Sequence, residues 1–240
     1  MQKHLGKTNN VNFSTLGEIS STWYFLNTFE NDGKFNMACD NYLLKSLIQN
    51  HFKYPILRVY AWSTPTLSLG FSQKENKKEI KYTIPCVRRM TGGQAVMHLD
   101  INNEITYSIV LKSSKNFKEI YYAMGNILLY LLESYGLNGV FGYSNKNYAK
   151  DFNCFNTQTL SDIVVDNIKI VGSAQYRKKE YILQHGAIRL DLINKLIGQN
   201  ISFHQVARDL RNIFQKRIDI NLIEMQFTND DYDLIESRLC

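Results

Sequence analysis

The stretch DIVVDNIKIVGSAQYR, residues 162–177, constrains the fold of this chain more than any other. Asp166 and Asn167 separate two runs in which apolar residues alternate, and such a pair is typical of a two-residue hairpin turn because both residue types tolerate positive φ. A further strand pattern, YILQHGAIRLDL at 181–192, follows a few residues later. This part of the chain is therefore predicted to be β-structure.

Helical patterns separate the strand patterns. Asn36 and Ser202 are expected N-caps, Asn116 and Glu119 fit a capping box, and Gly136 stands where a C-terminal glycine cap belongs. Helices are predicted at 36–52, 116–136, 202–217 and 229–239. Further strands are predicted at 56–63, 66–73, 85–89, 94–99 and 103–112, the last two as a hairpin. Antiparallel pairs with helices between the blocks indicate an α+β fold.

Composition narrows the class of protein. The 240 residues are 44% hydrophobic and 21% charged, as in a soluble globular protein, and we expect one domain over 1–240. No apolar run approaches the roughly 20 residues that span a bilayer, and no secretory signal is visible, so a cytoplasmic protein is expected. The net charge of +6 fits a mildly basic surface or an acidic partner. No nucleic-acid motif and no Cys/His pair at zinc spacing is found.

The segment TGGQAV at 91–96 has two interpretations. One is a tight hairpin, and the other is a loop whose backbone N–H groups approach a carboxylate, carbonyl or phosphate. Arg89 precedes the glycines and His98 follows them. A strand arginine usually faces solvent, and a single strand histidine is more often structural than catalytic.

Two further segments contain candidate functional residues. Lys169 lies in an alternating strand, and Gly172 with Ser173 interrupts that strand, as at a bulge or a close backbone approach. The lysine either faces solvent or points at the ligand that the glycine accommodates. Cys154 is either a small buried side chain or a thiolate nucleophile, and a thiolate needs a nearby cation, for which Lys169 is a candidate.

Together and in this order, three motifs resemble the lipoate–protein ligase and octanoyltransferase group of the biotin/lipoate transferase superfamily. RRMTGGQAVMH is similar to R-R-x-[ST]-G-G-x-A-V-x-H, IKIVGSAQYR to K-[IV]-x-G-S-A-x-R, and ILQHGAIRLDL to L-Q-H-G-[ST]-[IL]-L-x-D. The resemblance extends from about Asn36 to Asp191. It implies an α+β fold in which helices flank a central mixed sheet.

The resemblance also implies roles for residues. The glycine loop and Arg89 would wall the pocket for the carbonyl end of an acyl group, and Lys169 would contact that end. The substrate-binding residues carried over are Arg89, Gly92, Gly93, Gln94, His98, Gly172, Ser173 and His185. Cys154 and Lys169 would be the catalytic pair.

Several features favour the transferase branch over the ATP-dependent ligases. Ligases usually have a third glycine where this chain has Gln94, and WSTPTLSLGFSQ, EITYS and Cys154-Phe155 resemble the acyl-cysteine transferases. Two segments depart from that pattern: NTQTLSD replaces the usual D-A-P continuation, and HLDINNE is longer than usual. No metal and no nucleotide cofactor is expected.

Three hypotheses follow. The first is an octanoyltransferase that takes its acyl group from octanoyl-acyl carrier protein and modifies a lysine of a lipoyl domain or of the glycine cleavage H protein. The second is a ligase that activates lipoate or octanoate with ATP. The third is a binder of acyl-proteins or lipoyl domains without catalytic activity, and the joint presence of Cys154, Lys169 and the glycine loop disfavours it.

Overall fold

The computed structural model describes residues 14–74, 84–142, 159 and 161–239. Along the chain the elements are α1 (Ser14–Gly17), β1 (Thr22–Asn31), α2 (Gly33–Ile48), β2 (Ile56–Trp62), β3 (Thr66–Leu69), β4 (Cys86–Arg88), β5 (Val96–His98), β6 (Glu104–Lys112), α3 (Phe117–Ser134), β7 (Val140–Phe141), β8 (Ile163–Val165), β9 (Ile168–Lys178), β10 (Tyr181–Arg189), α4 (Leu190–Ile197), α5 (Phe203–Ile218), β11 (Asn221–Met225) and α6 (Asn229–Glu236). None of these helices is both long and apolar enough to cross a bilayer.

Eight strands form one mixed sheet in the order β11-β1-β2-β6-β10-β9-β8-β7. β1 runs parallel to both β2 and β11, whereas β2, β6, β10, β9, β8 and β7 are paired antiparallel in turn. The predicted α+β fold with a central mixed sheet is therefore confirmed.

Helices cover both faces of the sheet because alternate strand residues point to opposite sides. Leu57, Ile109 and Leu111 belong to the large core under α3 and α5. Ile56 and Val110, their neighbours in sequence, belong to the smaller core under α2 and α6. A strand that is buried on both faces has a nearly continuous apolar sequence, as β2 (ILRVYAW) does apart from Arg58.

A second sheet of three strands, in the order β4-β3-β5, carries the glycine loop between β4 and β5. β3 lies in the middle, parallel to β4 and antiparallel to β5. The two strands that flank the loop are therefore not hydrogen-bonded to each other. The tight-hairpin interpretation of TGGQAV was wrong.

Several local predictions are confirmed. Asn116 and Glu119 form a capping box on α3, and Gly136 follows that helix with a φ of 76°. Asp166 and Asn167 have φ of 49° and 64°, as a two-residue turn with both central residues at positive φ requires. Ser202 caps α5 by accepting from the backbone N–H of Gln205.

Other predictions were wrong in detail. The N-cap of α2 is Asp32, and Asn36 is buried inside the helix, where its side-chain amide donates to the carbonyls of Asn31 and Ala61. The predicted hairpin of 94–99 with 103–112 does not form, since β5 and β6 belong to different sheets. The patterns also gave no forecast of β1 or β11, which pair with each other across almost the whole chain.

Candidate active site

A cavity that is partly open to solvent lies where the glycine loop meets β9, β10 and α2. Residues from all three motifs line it: Arg89, Gly93, His98, Gly172, Ser173 and His185. Much of the remaining lining is apolar, from Met37, Val96, Ala174 and Ala187. Segments far apart in sequence thus converge on one apolar cavity that has a few polar groups, the usual character of a small-molecule site.

The glycine loop has a fixed shape. Gly93 has a φ of 95°, a conformation that favours glycine. A Cβ on Gly70 would lie 2.0 Å from the carbonyl oxygen of Gly93, so Gly70 lets the loop fold back on β3. By contrast, a Cβ on the exposed Gly92 would meet nothing within 4 Å. The fold itself therefore requires Gly70 and Gly93, whereas it leaves the space beside Gly92 open.

Arg89 braces this loop. Its buried guanidinium donates from Nη1 to the carbonyl of Ser68 at 2.7 Å, and from Nη2 to the carbonyls of Gly92 and Gln94 at 2.9 and 2.7 Å. Its Nε donates to Thr91 Oγ1 at 3.1 Å. An arginine predicted from its place beside the loop thus holds the loop carbonyls while it also lines the cavity.

A buried chain of side chains continues from Thr91 into the core. Thr91 Oγ1 lies 2.7 Å from His185 Nε2, and His185 Nδ1 lies 3.0 Å from Asp40 Oδ2. Burial lowers the pKa of His185, and this effect outweighs the neighbouring Asp40 carboxylate, which raises it. Burial raises the pKa of Asp40, but the Arg58 guanidinium and His185 together hold it below its ordinary value. At neutral pH the pair is therefore a neutral imidazole beside an ionised carboxylate.

His98 is held from two sides. Its ring stacks on Trp62 with the ring centres 3.9 Å apart, and its Nδ1 lies 2.5 Å from Glu104 Oε1. The Trp62 indole N–H in turn donates to Thr106 Oγ1 at 3.0 Å. His98 thus forms a fixed part of the cavity wall.

Lys169 is buried beside the cavity. Its Nζ lies 3.0 Å from Asp162 Oδ2, and the same oxygen accepts from the backbone N–H of Thr159 at 2.6 Å. A Cβ on Gly172 would lie 2.9 Å from Lys169 Cε and 3.3 Å from its Nζ. The interpretation of Lys169 as a solvent-facing side chain was wrong. Gly172 makes room for the lysine itself, and that places the ammonium next to a residue that lines the cavity.

Ser173, the next lining residue, ends a second buried polar chain. Tyr107 OH lies 2.8 Å from Ser173 Oγ and accepts from Gln184 Nε2 at 2.7 Å. Burial raises the pKa of Tyr107 to about 12, so its hydroxyl stays protonated and shares a hydrogen bond with the Ser173 hydroxyl. This chain fixes the Ser173 hydroxyl at the cavity wall.

Sequence comparison identifies the family of this chain. The family model described as the lipoyl protein ligase A/B catalytic domain matches residues 32–226. The chain belongs to this family. It is 37% identical to octanoyltransferase LipM of Carboxydothermus hydrogenoformans, over 73% of this chain and 68% of that protein. It is 33% identical to octanoyltransferase LipM of Bacillus subtilis, over 88% of this chain and 82% of that protein.

Solved structures of ligases share the fold of this lipoyl ligase A/B family member. The protein Ta0514 of T. acidophilum with bound lipoic acid superposes with a TM-score of 0.71 at 21% identity, covering 91% of this chain and 93% of that one. Lipoate-protein ligase A bound with ATP gives 0.70 at 20% identity, with 92% and 94% covered. At these identities the likeness establishes the fold.

The remaining predicted residues lie elsewhere. Gly92, Gln94 and Lys169 are not among the described residues that line the cavity, and Gln94 Oε1 accepts from Gln73 Nε2 at 3.4 Å. Cys154 lies outside the described residues. Sequence reasoning missed Asp40 and Asp162. Asp40 could have been found as the one acidic residue of α2, whereas Asp162 gave no signal because an acidic residue before a strand usually faces solvent.

Proposed function

We propose that this protein is an octanoyltransferase of lipoate biosynthesis. It takes the octanoyl group of octanoyl-acyl carrier protein and delivers it to a lysine of a lipoyl domain or of the glycine cleavage H protein. The observation that carries the proposal is the convergence of six residues from three motifs on one cavity. Relatives named octanoyltransferase LipM, which match most of the chain, support the same reaction.

The reaction proceeds in two balanced steps. In the first, the Cys154 thiol loses its proton and the thiolate attacks the thioester carbonyl; the new carbon–sulfur bond forms, the carrier's carbon–sulfur bond breaks, and the carrier leaves as a thiolate that takes up a proton. In the second, the acceptor lysine amine attacks the acyl-cysteine, an amide bond forms, the amine loses a proton, and the Cys154 thiol is regenerated. A thioester exchanged for a thioester is nearly isoenergetic and the amide lies downhill, so the scheme needs no nucleotide.

The described residues supply the electrostatics of this scheme. The Lys169 ammonium adjoins Gly172 at the cavity wall, where a cation favours a thiolate and a developing oxyanion. The open space beside Gly92 leaves the backbone of the glycine loop accessible to an acyl carbonyl. The largely apolar lining of the cavity suits an alkyl chain.

A mass measurement on the intact protein tests the acyl-enzyme step. After incubation with octanoyl-acyl carrier protein we expect one octanoyl adduct, which hydroxylamine removes because a thioester is labile to it. Cys154→Ala should give neither the adduct nor transfer. Cys86→Ala is the matched control, since Cys86 is an exposed thiol on β4 away from the cavity lining, and it should keep both.

The same preparation discriminates the ligase alternative. Incubation with free octanoate, ATP and magnesium, followed by a lipoyl domain, should leave that domain unmodified. Modification only under those conditions, or undiminished transfer by Cys154→Ala, would overturn the acyl-cysteine mechanism in favour of an adenylate.

A further inference from the structure

We propose that Thr91, His185 and Asp40 form a positioning relay, defined by these three residues, that holds the glycine loop in its reactive geometry. The proposal rests on the proposed function, because the reaction it serves is acyl transfer at this cavity. Thr91 follows Arg89 in the loop segment, His185 lies on β10, and Asp40 lies on α2. The relay thus ties the loop of the small sheet to the large sheet and to the helix that covers it.

The positions of the protons in the relay follow from its chemistry. Asp40 is ionised and can only accept, so the proton of His185 is on Nδ1. A neutral imidazole has one N–H, which leaves Nε2 as an acceptor. The Thr91 hydroxyl therefore donates to Nε2, while its oxygen accepts from Arg89 Nε. Every group in the relay has one consistent role, and each of these contacts is buried.

The inner end of the relay is rigidly anchored. Asp40 Oδ1 accepts from Arg58 Nη1 at 2.8 Å and from Ser108 Oγ at 2.9 Å, and Tyr60 OH donates to Asp40 Oδ2 at 3.2 Å. Arg58 and Ser108 are fully buried strand residues of the large sheet. The sheet therefore fixes Asp40, Asp40 orients His185, and His185 positions Thr91.

The outer end of the relay controls the loop. Thr91 Oγ1 is the acceptor for Arg89 Nε, and the same guanidinium donates to the carbonyls of Gly92 and Gln94. Removal of the Thr91 hydroxyl would leave both Arg89 Nε and His185 Nε2 without this buried partner. The loop would then lose the support that holds its backbone against the cavity. Because loop amides act on the developing oxyanion, the loss should appear in kcat more than in KM.

Three substitutions of Thr91 test the relay. Thr91→Val keeps the shape and removes the hydroxyl, so we expect kcat for octanoyl transfer to fall roughly 10- to 100-fold, less than the roughly 100- to 1,000-fold cost of removing an oxyanion donor itself. Thr91→Ser keeps the hydroxyl and should stay within about threefold of the wild type, a difference of less than 1 kcal/mol. Thr91→Cys is isosteric with serine and has a weaker donor, so it should lie between the two.

Ser202→Ala is the control, because it removes the N-cap hydrogen bond of α5 and Ser202 is not among the described residues that line the cavity or form the relay. It should lower the melting temperature while kcat stays at the wild-type value. A Thr91→Val protein with wild-type kcat would overturn the proposal, and so would an equal loss of kcat in Ser202→Ala. If Thr91→Val does not fold, the comparison of Thr91→Ser with Thr91→Cys decides in its place, and equal kcat in those two overturns the relay.

Amide hydrogen exchange separates this inference from the proposed function. The peptide that contains Thr91 to Gln94 should exchange faster in Thr91→Val than in the wild type or in Ser202→Ala. If the wild-type protein transfers no octanoyl group, the proposed function fails, and faster exchange still supports the relay. Unchanged exchange in Thr91→Val overturns the relay whatever the activity.

Discussion

The buried ion pair of Lys169 with Asp162 gives the sharpest prediction about this site. Both side chains are almost fully enclosed, with exposed fractions of 3% and 2%. Burial raises the pKa of Asp162 more than the Lys169 ammonium and the Thr159 contacts lower it. The Lys169 ammonium therefore does not fully offset the desolvation of the Asp162 carboxylate, and we expect the pair to serve the position of Lys169 more than the stability of the fold.

Loss of either charge alone should destabilise the fold. Asp162→Asn leaves a buried ammonium without its counter-charge, and Lys169→Met leaves a buried carboxylate in the same condition. Each should lower the free energy of unfolding by about 3–5 kcal/mol, the usual cost of an uncompensated buried charge. The double variant removes both charges and should return to within about 1 kcal/mol of the wild type, because a buried pair exchanged for neutral groups is often close to neutral.

The free energy of unfolding and the transfer activity should respond differently in these variants. Urea unfolding gives the four free energies of the cycle, and the octanoyl transfer assay gives the activities. The double variant should regain stability without regaining transfer, since it lacks the Lys169 ammonium. Asp162→Asn should keep measurable transfer because it retains the lysine. Additivity of the two single losses to within about 0.5 kcal/mol in the double variant would refute the charge-pair reasoning.

The other predictions concern the loop and His185. Gly93→Ala should lower the free energy of unfolding by about 1–2 kcal/mol, because Gly93 has positive φ. Gly92→Ala should fold with wild-type stability and transfer octanoyl groups about tenfold more slowly. Unchanged transfer in Gly92→Ala would mean that no ligand approaches Gly92. Since burial keeps the pKa of His185 below 6.5, the unfolded chain takes up that proton first. Stability should therefore fall from pH 7 to pH 5, by up to about 1.4 kcal/mol per unit, and His185→Gln should flatten this fall in urea titrations; an equal slope in the variant would contradict it.

The elements that sequence reasoning placed correctly are those with local causes. The capping box of Asn116 and Glu119 and the turn at Asp166 and Asn167 depend on residues within one turn of each other. The pairing of β1 with β11 depends on residues at opposite ends of the chain, and no local pattern encodes it. The hairpin predicted for 94–99 and 103–112 failed for the same reason, because β5 pairs with β3 in the small sheet instead.

In the candidate site, too, the sequence indicated some of the residues and missed others. Motifs selected Arg89, Gly93 and His185, which the structure brings to one cavity. The partners that set their chemistry, Asp40 and Asp162, were missed because a partner in space has no fixed spacing in sequence. Residue type alone also does not reveal which glycine the backbone requires. Gly92 and Gly93 look equivalent in sequence, yet only Gly93 has positive φ.

The edge position of β11 has a consequence for how the chain reaches this fold during synthesis. β1 is synthesised well before its partner on the outer side, which begins at Asn221 opposite Thr22 and follows it after most of the described chain. Until then one edge of β1 presents unpaired N–H and C=O groups, which other chains can pair with. The pairing of β1 with β11 also joins residues far apart along the chain, and such long-range contacts slow folding. Nascent chains of this protein should therefore depend on chaperones until β11 is available.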